Sequence, residues 1–422
     1  MNGFAIFILA ALLIRFCIEL AGRILNIRAS RLSLPAELQG LYNPAEYSKS
    51  QRYLRVSTYF GITEGAFSLA VILAFWFSGG FDFLDRLIRG WGFIPLVNGL
   101  FYFGILLFAY SILTLPFELY ETFNIEQRFG FNRTGAQTFI VDKLKMLVLG
   151  VLMGGLLGSA VLAIFQYGGV FAWLYCWGAV IIFSIATQFI IPAWIMPLFN
   201  KFRPLEAGEL QTAIFAYTQS VGFPVKNIYV MDESKRSSKS NAFFTGFGAN
   251  KRIVLFDTLI EKHPVGELVA ILAHEIGHYK KRHILQGMVI NIVFTGLILF
   301  LFSVFLHQAS LYQAFHMKEQ SIYTGIIFFA LLYTPAGVVF SILGAWLSRK
   351  NEFAADKFAV DSIDKPELMA ESLKKLSVTN LSNLTPHPFF VFLNYSHPPL
   401  TQRLQSIERE SLKKKNSTLA KN

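Results

Sequence analysis

The residues of this chain that are best suited to chemistry are His274, Glu275 and His278, in the pattern H-E-I-G-H. On a helix, residues four apart stand one turn apart on the same face, so both histidines can direct a ring nitrogen at one metal ion. Glu275 lies about 100° round the helix, where it can reach a water at the metal without binding the metal itself. The motif predicts a zinc hydrolase in which Glu275 is the base. The alternative is a charged amphipathic helix beside a membrane, because basic residues follow at 280–283.

A catalytic zinc usually takes three protein ligands, so a third ligand must come from elsewhere. The pattern H-E-x-x-H-x-x-G-x-x-H is excluded, because Lys281 and Ile284 stand where it requires glycine and histidine. A distant glutamate with an aspartate four residues later is met by Glu352 and Asp356, which would share one helix face. Glu352 can then bind the metal while Asp356 accepts the free N–H of a ligand histidine. A salt-bridged surface pair is the alternative.

Two further candidates, His397 and Arg403, lie in the segment S-H-P-P-L-T-Q-R at 396–403, on a turn that leads into a helix. Such groups can stabilise the oxyanion of a tetrahedral intermediate. An ordinary loop histidine would give the same pattern at His397, so the pattern alone does not choose between the two interpretations.

The elements that must position these residues are membrane spans. Of the 422 residues 54% are hydrophobic, 43 are phenylalanine and the mean hydropathy is +0.46, which is more apolar than an ordinary soluble domain. Seven apolar runs are long enough to cross about 30 Å of hydrocarbon. They cover residues 3–24, 58–79, 92–117, 144–166, 171–195, 284–306 and 321–347. The first run has no basic n-region and no obvious cleavage site, so we expect it to be retained.

The basic residues follow membrane topology and not a nucleic-acid surface, although the net charge is +11. With the N-terminus placed outside, only Arg86, Arg89 and Lys318 of the 38 basic residues lie in outer segments. We therefore expect the lipid bilayer as a partner, no nucleic acid, and an active site on the cytoplasmic side. The two cysteines, Cys17 and Cys176, both lie in apolar runs, which excludes a disulfide framework and a cysteine-built zinc site.

The segment between the fifth and sixth spans is predicted to be an α+β unit. Helical periodicity covers 206–221, and short strands are predicted over 226–231, 240–246 and 252–259. Asn241, Ala242 and Phe243 are the candidate sheet edge, which would bind an extended polypeptide through main-chain hydrogen bonds. An ordinary interior strand is the alternative.

Five regions follow from this pattern. They are 1–197 with five spans, 198–283 with the sheet and the zinc helix, 284–347 with spans six and seven, 348–410 with the third ligand, and 411–422. The zinc helix is expected to open near 263–264 and to run with little interruption into the sixth span, and a new helix is expected to begin at 348. Residues 411–422 are polar and lysine-rich, which predicts a disordered tail.

Taken together, the seven spans, H-E-I-G-H at 274–278, S-R-K-N-E-F-A-A-D at 348–356 and S-H-P-P-L-T-Q-R at 396–403 resemble the type I CaaX prenyl protease family of integral-membrane zinc metalloproteases. The resemblance covers nearly the whole chain, including E-Q-R-F-G-F-N at 126–132 and S-N-A-F at 240–243. It implies an all-α membrane protein in which seven transmembrane helices enclose a hydrated chamber, with a cytoplasmic α+β metalloprotease cap.

The resemblance also implies roles for individual residues. One Zn²⁺ would be held by His274, His278 and Glu352, with Glu275 as general base and a catalytic or ligand-orienting role for Asp356. In the family, the positions of His397 and Arg403 contact the transition state or the substrate. The substrate would be a polypeptide, possibly prenylated, that is cut near its C-terminus.

Three hypotheses follow for function. The leading one is a CaaX-type endopeptidase; a membrane-protein quality-control protease without a prenyl requirement uses the same chemistry, and a transporter or receptor that keeps a structural metal is of another class. The short chain and the lack of an obvious retrieval signal favour a bacterial inner membrane over the endoplasmic reticulum.

Overall fold

The structure is a computed structural model that describes residues 1–30, 40, 43–223, 225, 227–245 and 252–420. Long apolar helices make up its first half. They are α1 (Gly3–Ala29), α2 (Pro44–Phe77), the short α3 (Gly80–Arg89), α4 (Pro95–Phe129), α5 (Ala136–Tyr167) and α6 (Gly169–Phe199). All but α3 are long and apolar enough to cross a membrane, which confirms the five spans predicted in this part of the chain.

A small sheet and the zinc helix follow. The elements are β1 (Phe202–Pro204), α7 (Glu209–Ser220), β2 (Asn227–Met231), β3 (Ala242–Thr245), β4 (Arg252–Phe256), α8 (Asp257–Ile260) and α9 (Val265–Lys280). The strand order is β1-β2-β4-β3, with β2 and β4 parallel and the other pairs antiparallel. Since β3 is the last strand in this order, the candidate strand is an edge and not an interior strand among the described residues.

The second membrane unit consists of α10 (His283–Phe305), α11 (Ala309–Gln313), α12 (Ile322–Leu332) and α13 (Thr334–Ser362). α12 and α13 meet at an angle of 58°; counted as one bent span, they bring the total with α10 to the predicted seven. Pro335 causes the break, because proline has no N–H for the preceding turn and disfavours helical backbone in the residue before it.

The third ligand does not begin a new helix, as the sequence had suggested. Glu352 lies well inside α13, which is continuous from Thr334 to Ser362. The expected start of a helix at 348 is therefore wrong. The polar run after 347 marks the point at which one long helix leaves the apolar layer. The sequence becomes polar there, but the helix continues.

The zinc helix also does not run directly into the sixth span. α9 ends at Lys280, and α10 begins at His283 after Arg282, whose φ of 58° is left-handed. A left-handed residue ends a helix and redirects the chain. Arginine has no preference for this conformation, so the composition did not reveal the turn.

The chain ends in α14 (Glu367–Thr379), α15 (Pro388–Asn394) and α16 (Leu400–Leu419). The expectation of a disordered tail from 411 is wrong as far as Leu419; residues 421–422 lie outside the described part. Lys414 Nζ donates to the carbonyl oxygens of Val360 (2.9 Å) and Ile363 (2.6 Å) at the C-terminal end of α13. Lys414 thus satisfies carbonyl groups that the end of α13 leaves without intrahelical partners.

The membrane helices bury little of their own surface. In the most apolar stretch of α6 none of the residues is buried, and in that of α1 22% are. A helix in a close-packed bundle buries an apolar stripe along its whole length. The apolar surface that these helices leave exposed is therefore large, and they pack against one another only in part.

The cap is tied to the membrane unit by charged contacts. Arg236 donates to both carboxylate oxygens of Asp142 on α5 (2.8 and 3.1 Å). Lys239 Nζ lies 3.1 Å from Glu126 on α4, which also accepts from the Tyr53 hydroxyl of α2. These contacts hold the loop before β3 against the membrane helices.

Candidate active site

Three of the predicted residues converge at one point. The Nε2 atoms of His274 and His278 are 3.1 Å apart. Glu352 places Oε2 at 3.3 Å from His274 Nε2 and Oε1 at 3.2 Å from His278 Nε2. One potential ligand atom of each residue lies within 4.8 Å of the others, so the two helices α9 and α13 together present a three-ligand cluster.

The crossing of α9 and α13 depends on Gly277, the fourth residue of H-E-I-G-H. A Cβ atom at this position would lie 3.1 Å from both the Cα and the carbonyl oxygen of Ala355. Glycine therefore allows the two backbones to approach closely enough for Glu352 to meet both histidines. Around this point, Leu268, Leu272 and other apolar residues of α9 belong to the buried core of the cap.

Asp356 and Arg403 contact the residues of the cluster and hold them in position. His274 Nδ1 lies 2.9 Å from Asp356 Oδ1. The Arg403 guanidinium donates to both oxygens of Asp356 (2.8 and 2.5 Å), and its Nη1 lies 3.3 Å from Glu352 Oε2. Arg403 is only 8% exposed. Its geometry is thus that of a buried clamp on the two carboxylates.

The residues fit a metal ion. Because a carboxylate can only accept, His274 Nδ1 carries a proton, and Nε2 is the nitrogen that would bind the ion. Glu352 Oε2 is buried without a hydrogen-bond partner among the described residues. Burial disfavours charge on His274, but the nearby carboxylates of Asp356 and Glu352 outweigh it and raise its pKa to about 9. The pocket therefore favours a positive charge, which a metal cation supplies to acceptors that otherwise repel one another.

His283 is a site residue that the sequence reasoning missed. Its Nδ1 lies 3.0 Å from Nδ1 of His278, on the ring edge that faces away from Glu352. Since one nitrogen must donate and the other accept, this contact can orient the His278 ring as Asp356 orients His274. The residue follows left-handed Arg282, so no helical spacing from H-E-I-G-H could have indicated it.

Glu275 and His397 both border the cluster, and both line the same cavity. Glu275 lines two cavities, one of about 560 Å³ and one of about 710 Å³. Burial raises the pKa of the Glu275 carboxyl, which brings it closer to that of a base working near neutral pH. His397, on the exposed turn before α16, places Nε2 at 3.4 Å from Glu352 Oε1.

The edge strand runs beside this site. Asn241 and Ala242 line the 560 Å³ cavity with His274, and Phe243 lines the 710 Å³ cavity with Glu275 and His278. On its inner side, Ala242 pairs with Leu255 of β4. The edge strand β3 therefore borders both cavities that adjoin the cluster.

A bundle of membrane helices with a three-ligand cluster and an adjoining glutamate defines a multi-pass integral-membrane metallopeptidase. Residues 23–201 match the family model described as CAAX prenyl protease N-terminal, five membrane helices, and residues 204–411 match that of Peptidase family M48. The chain belongs to the CAAX prenyl protease family.

Individual relatives match over most of their length. Probable CAAX prenyl protease 1 of Schizosaccharomyces pombe is 36% identical, covering 90% of this chain and 83% of the relative. CAAX prenyl protease 1 of Saccharomyces cerevisiae is 33% identical, covering 92% and 91%. The crystal structure of S. mikatae Ste24p superposes with a TM-score of 0.92 at 32% identity, covering 97% of this chain and 100% of that chain. The protein is therefore a CaaX-type metalloendopeptidase that acts on polypeptides, and not a transporter or receptor.

Proposed function

We propose that the metal is one Zn²⁺ per chain, held by His274, His278 and Glu352. The observation that carries this proposal is the convergence of two imidazole nitrogens and one carboxylate within 4.8 Å. Two histidines and a glutamate are a donor set typical of catalytic zinc, which keeps its remaining position for water or substrate. When bound, zinc polarises the scissile carbonyl and lowers the pKa of water towards about 7.

Four side chains around the metal site have separate roles in the proposed reaction. Glu275 accepts the proton of the attacking water and returns it to the leaving amine. Asp356 keeps His274 in the tautomer that leaves Nε2 free, and Arg403 holds Asp356 in place. His397, on its exposed turn, is placed to donate to the oxyanion of the tetrahedral intermediate.

We further propose that Asn241, Ala242 and Phe243 bind the substrate as an added strand on β3. Main-chain hydrogen bonds to a sheet edge recognise an extended backbone with little demand on side chains. Selectivity for the peptide sequence should therefore be broad, and the prenyl group of a CaaX tail should increase affinity without being essential. No nucleic acid has a place in this proposal.

This selectivity can be tested with three substrates offered to the purified protein in liposomes. They are a farnesylated CaaX peptide, its unprenylated twin and an unfolded membrane-protein segment. We expect cleavage of the farnesylated peptide and of at least one unprenylated chain, all of it abolished by a zinc chelator. Strict dependence on the prenyl group would refute broad selectivity, and cleavage of none of the three would refute the proposed function.

We propose that the N-terminus lies outside and the metal site lies on the cytoplasmic side. Two contacts agree with this orientation, which places the N-terminus, α3 and the connection after α10 on the same side. Asn2 donates to the carbonyl of Ser310 (2.5 Å), and Lys318 N donates to Asp82 of α3 (2.9 Å). The N-terminus, α3 and the connection between α10 and α12 thus lie at one end of the bundle. The bacterial inner membrane stays a prediction from the sequence, although the relatives named above come from eukaryotes.

Reporter fusions would test this orientation. A reporter fused after Lys415 should be cytoplasmic, and one inserted near Gln313, which is exposed in the connection after α10, should lie on the opposite side. The measurement is the compartment-dependent activity of the reporter in intact cells. Signals from the same side would contradict the topology.

A further inference from the structure

A gap between the sixth and seventh spans opens from the active site into the membrane. The cavity of about 710 Å³ between α10 and α13 begins at Glu275 and His278 and ends deep in the apolar layer at Ile298 and Tyr333. Its volume is within the range of about 300–1,000 Å³ that is typical of small-molecule sites. The gap therefore connects the reacting groups with the apolar layer.

Glycines leave the walls of this gap bare. A Cβ atom at Gly287 of α10 or Gly344 of α13 would meet no heavy atom within 4 Å, and one at Gly337 would meet only the Tyr333 ring, at 3.7 Å. Glycine is unfavourable inside a helix, and in membrane proteins it usually serves close helix packing. These three glycines do not bring helices into close contact. Their effect is to leave the gap between α10 and α13 open.

Two side-chain contacts join α10 to α13 across the gap. Near the active site, Asn351 Nδ2 donates to Gln286 Oε1 (3.2 Å). Deeper in the membrane, the rings of Phe294 and Phe340 meet with centroids 4.2 Å apart. From Gly287 to Ile298 the α10 wall of the gap extends about 17 Å at about 1.5 Å per residue. The twelve-carbon main chain of a farnesyl group spans at most about 17 Å, from C–C bonds of about 1.5 Å.

We propose that this gap, the prenyl groove, binds the isoprenoid chain of the substrate while the peptide lies on β3. The inference rests on the proposed function. In a C-a-a-X tail the lipid is attached to the cysteine four positions from the C-terminus, so lipid and scissile bond must lie close together. The groove meets this requirement, because it begins at Glu275 and is bordered by Phe243 of the edge strand. Alternate side chains of an added strand point to one face, so the modified cysteine can direct its lipid into the groove.

Another apolar cavity is a poorer candidate. It has about 820 Å³, lies between α1 and α13, and shares only Asn394 with the cavity at the metal cluster. It also contains the Arg15–Glu19 ion pair, whose Nε and Oε1 atoms are 2.9 Å apart. A prenyl chain in this cavity would lie against charges and away from Glu275.

Filling the groove tests the proposal. Gly287→Leu and Gly344→Leu each place an isobutyl group in open space, and leucine favours the helix. We expect the ratio of kcat/KM for a farnesylated peptide to that for its unprenylated twin to fall about tenfold or more, mainly through KM, because small volume changes in apolar pockets change selectivity by roughly 10–200-fold. Gly104→Leu is the matched control, since its Cβ also meets no atom within 4 Å but lies on α4, and it should keep the ratio of the parent.

An unchanged ratio in both groove variants would overturn the prenyl groove and leave the proposed function intact. Failure of the parent to cleave either peptide would overturn the proposed function, and the groove with it. Photo-crosslinking gives a readout without turnover: a diazirine-farnesyl peptide bound to the Glu275→Gln protein should label α10 and α13 between 284 and 298 and between 333 and 348. Because α13 from 333 to 342 also borders the other cavity, labelling of α1 without α10 would assign the lipid to that cavity and contradict our inference.

Discussion

Glutamine in place of Glu275 should abolish peptidase activity and leave the metal in place. Glu275 lies beside the ligand cluster and is not part of it, so its loss removes a proton acceptor and no ligand. General base catalysis contributes about 10²–10⁴-fold, and we expect a loss of at least this size. Metal analysis and a cleavage assay on the same purified sample measure both quantities, with about one zinc per chain expected in parent and variant.

Glu261→Gln is the matched control, because Glu261 is an exposed glutamate in the turn before α9 and should tolerate the same change. Full activity of the Glu275→Gln protein would end the proposed mechanism. Loss of zinc together with activity would mean that Glu275 holds the metal, directly or through its neighbours.

The Glu352→Ala variant should lose most of its zinc. This carboxylate is the only ligand that α13 contributes to the cluster, and without it two histidines remain. Asp356→Asn should weaken zinc binding less, by about 10–100-fold, because it alters the partner of His274 and not a ligand. Asparagine also leaves an oxygen for buried Arg403, whose charge would otherwise lack a partner.

Zinc titration against a competing chelator would rank these proteins. Asp361→Ala on the same helix is the control, since its side chain is half exposed and pairs with Lys357 at the surface. The expected order of affinity is parent and Asp361→Ala, then Asp356→Asn, then Glu352→Ala. Parent-like binding by Glu352→Ala would remove this residue from the ligand set.

Much of the fold could be predicted because it depends on residues that are close together in the sequence. A membrane span is a matter of apolar length, and two histidines four apart share a helix face whatever surrounds them. The pair Glu352 and Asp356 followed from the same spacing. The pair could be found without knowing how its helix packs on α9, because a catalytic zinc usually takes three protein ligands.

The features that escaped prediction depend on contacts between distant segments. β1 has only three residues, one of them Pro204, and forms only because β2 offers a pairing edge. The tail from 411 continues α16, and Lys414 contacts the carbonyl groups at the end of α13, which the local composition does not reveal. His283 meets His278 through a left-handed turn at Arg282, a conformation that arginine composition does not reveal.

The crossing at Gly277 has a consequence for how natural sequence variation in this protein should be interpreted. Ligand distances in metal sites tolerate only about 0.2 Å of error. An alanine at 277 would require the Ala355 backbone to give by a few tenths of an ångström, and Glu352 lies one turn earlier on the same helix. A variant that removes no functional group should therefore bind zinc more weakly than the parent, and added zinc should restore part of its activity.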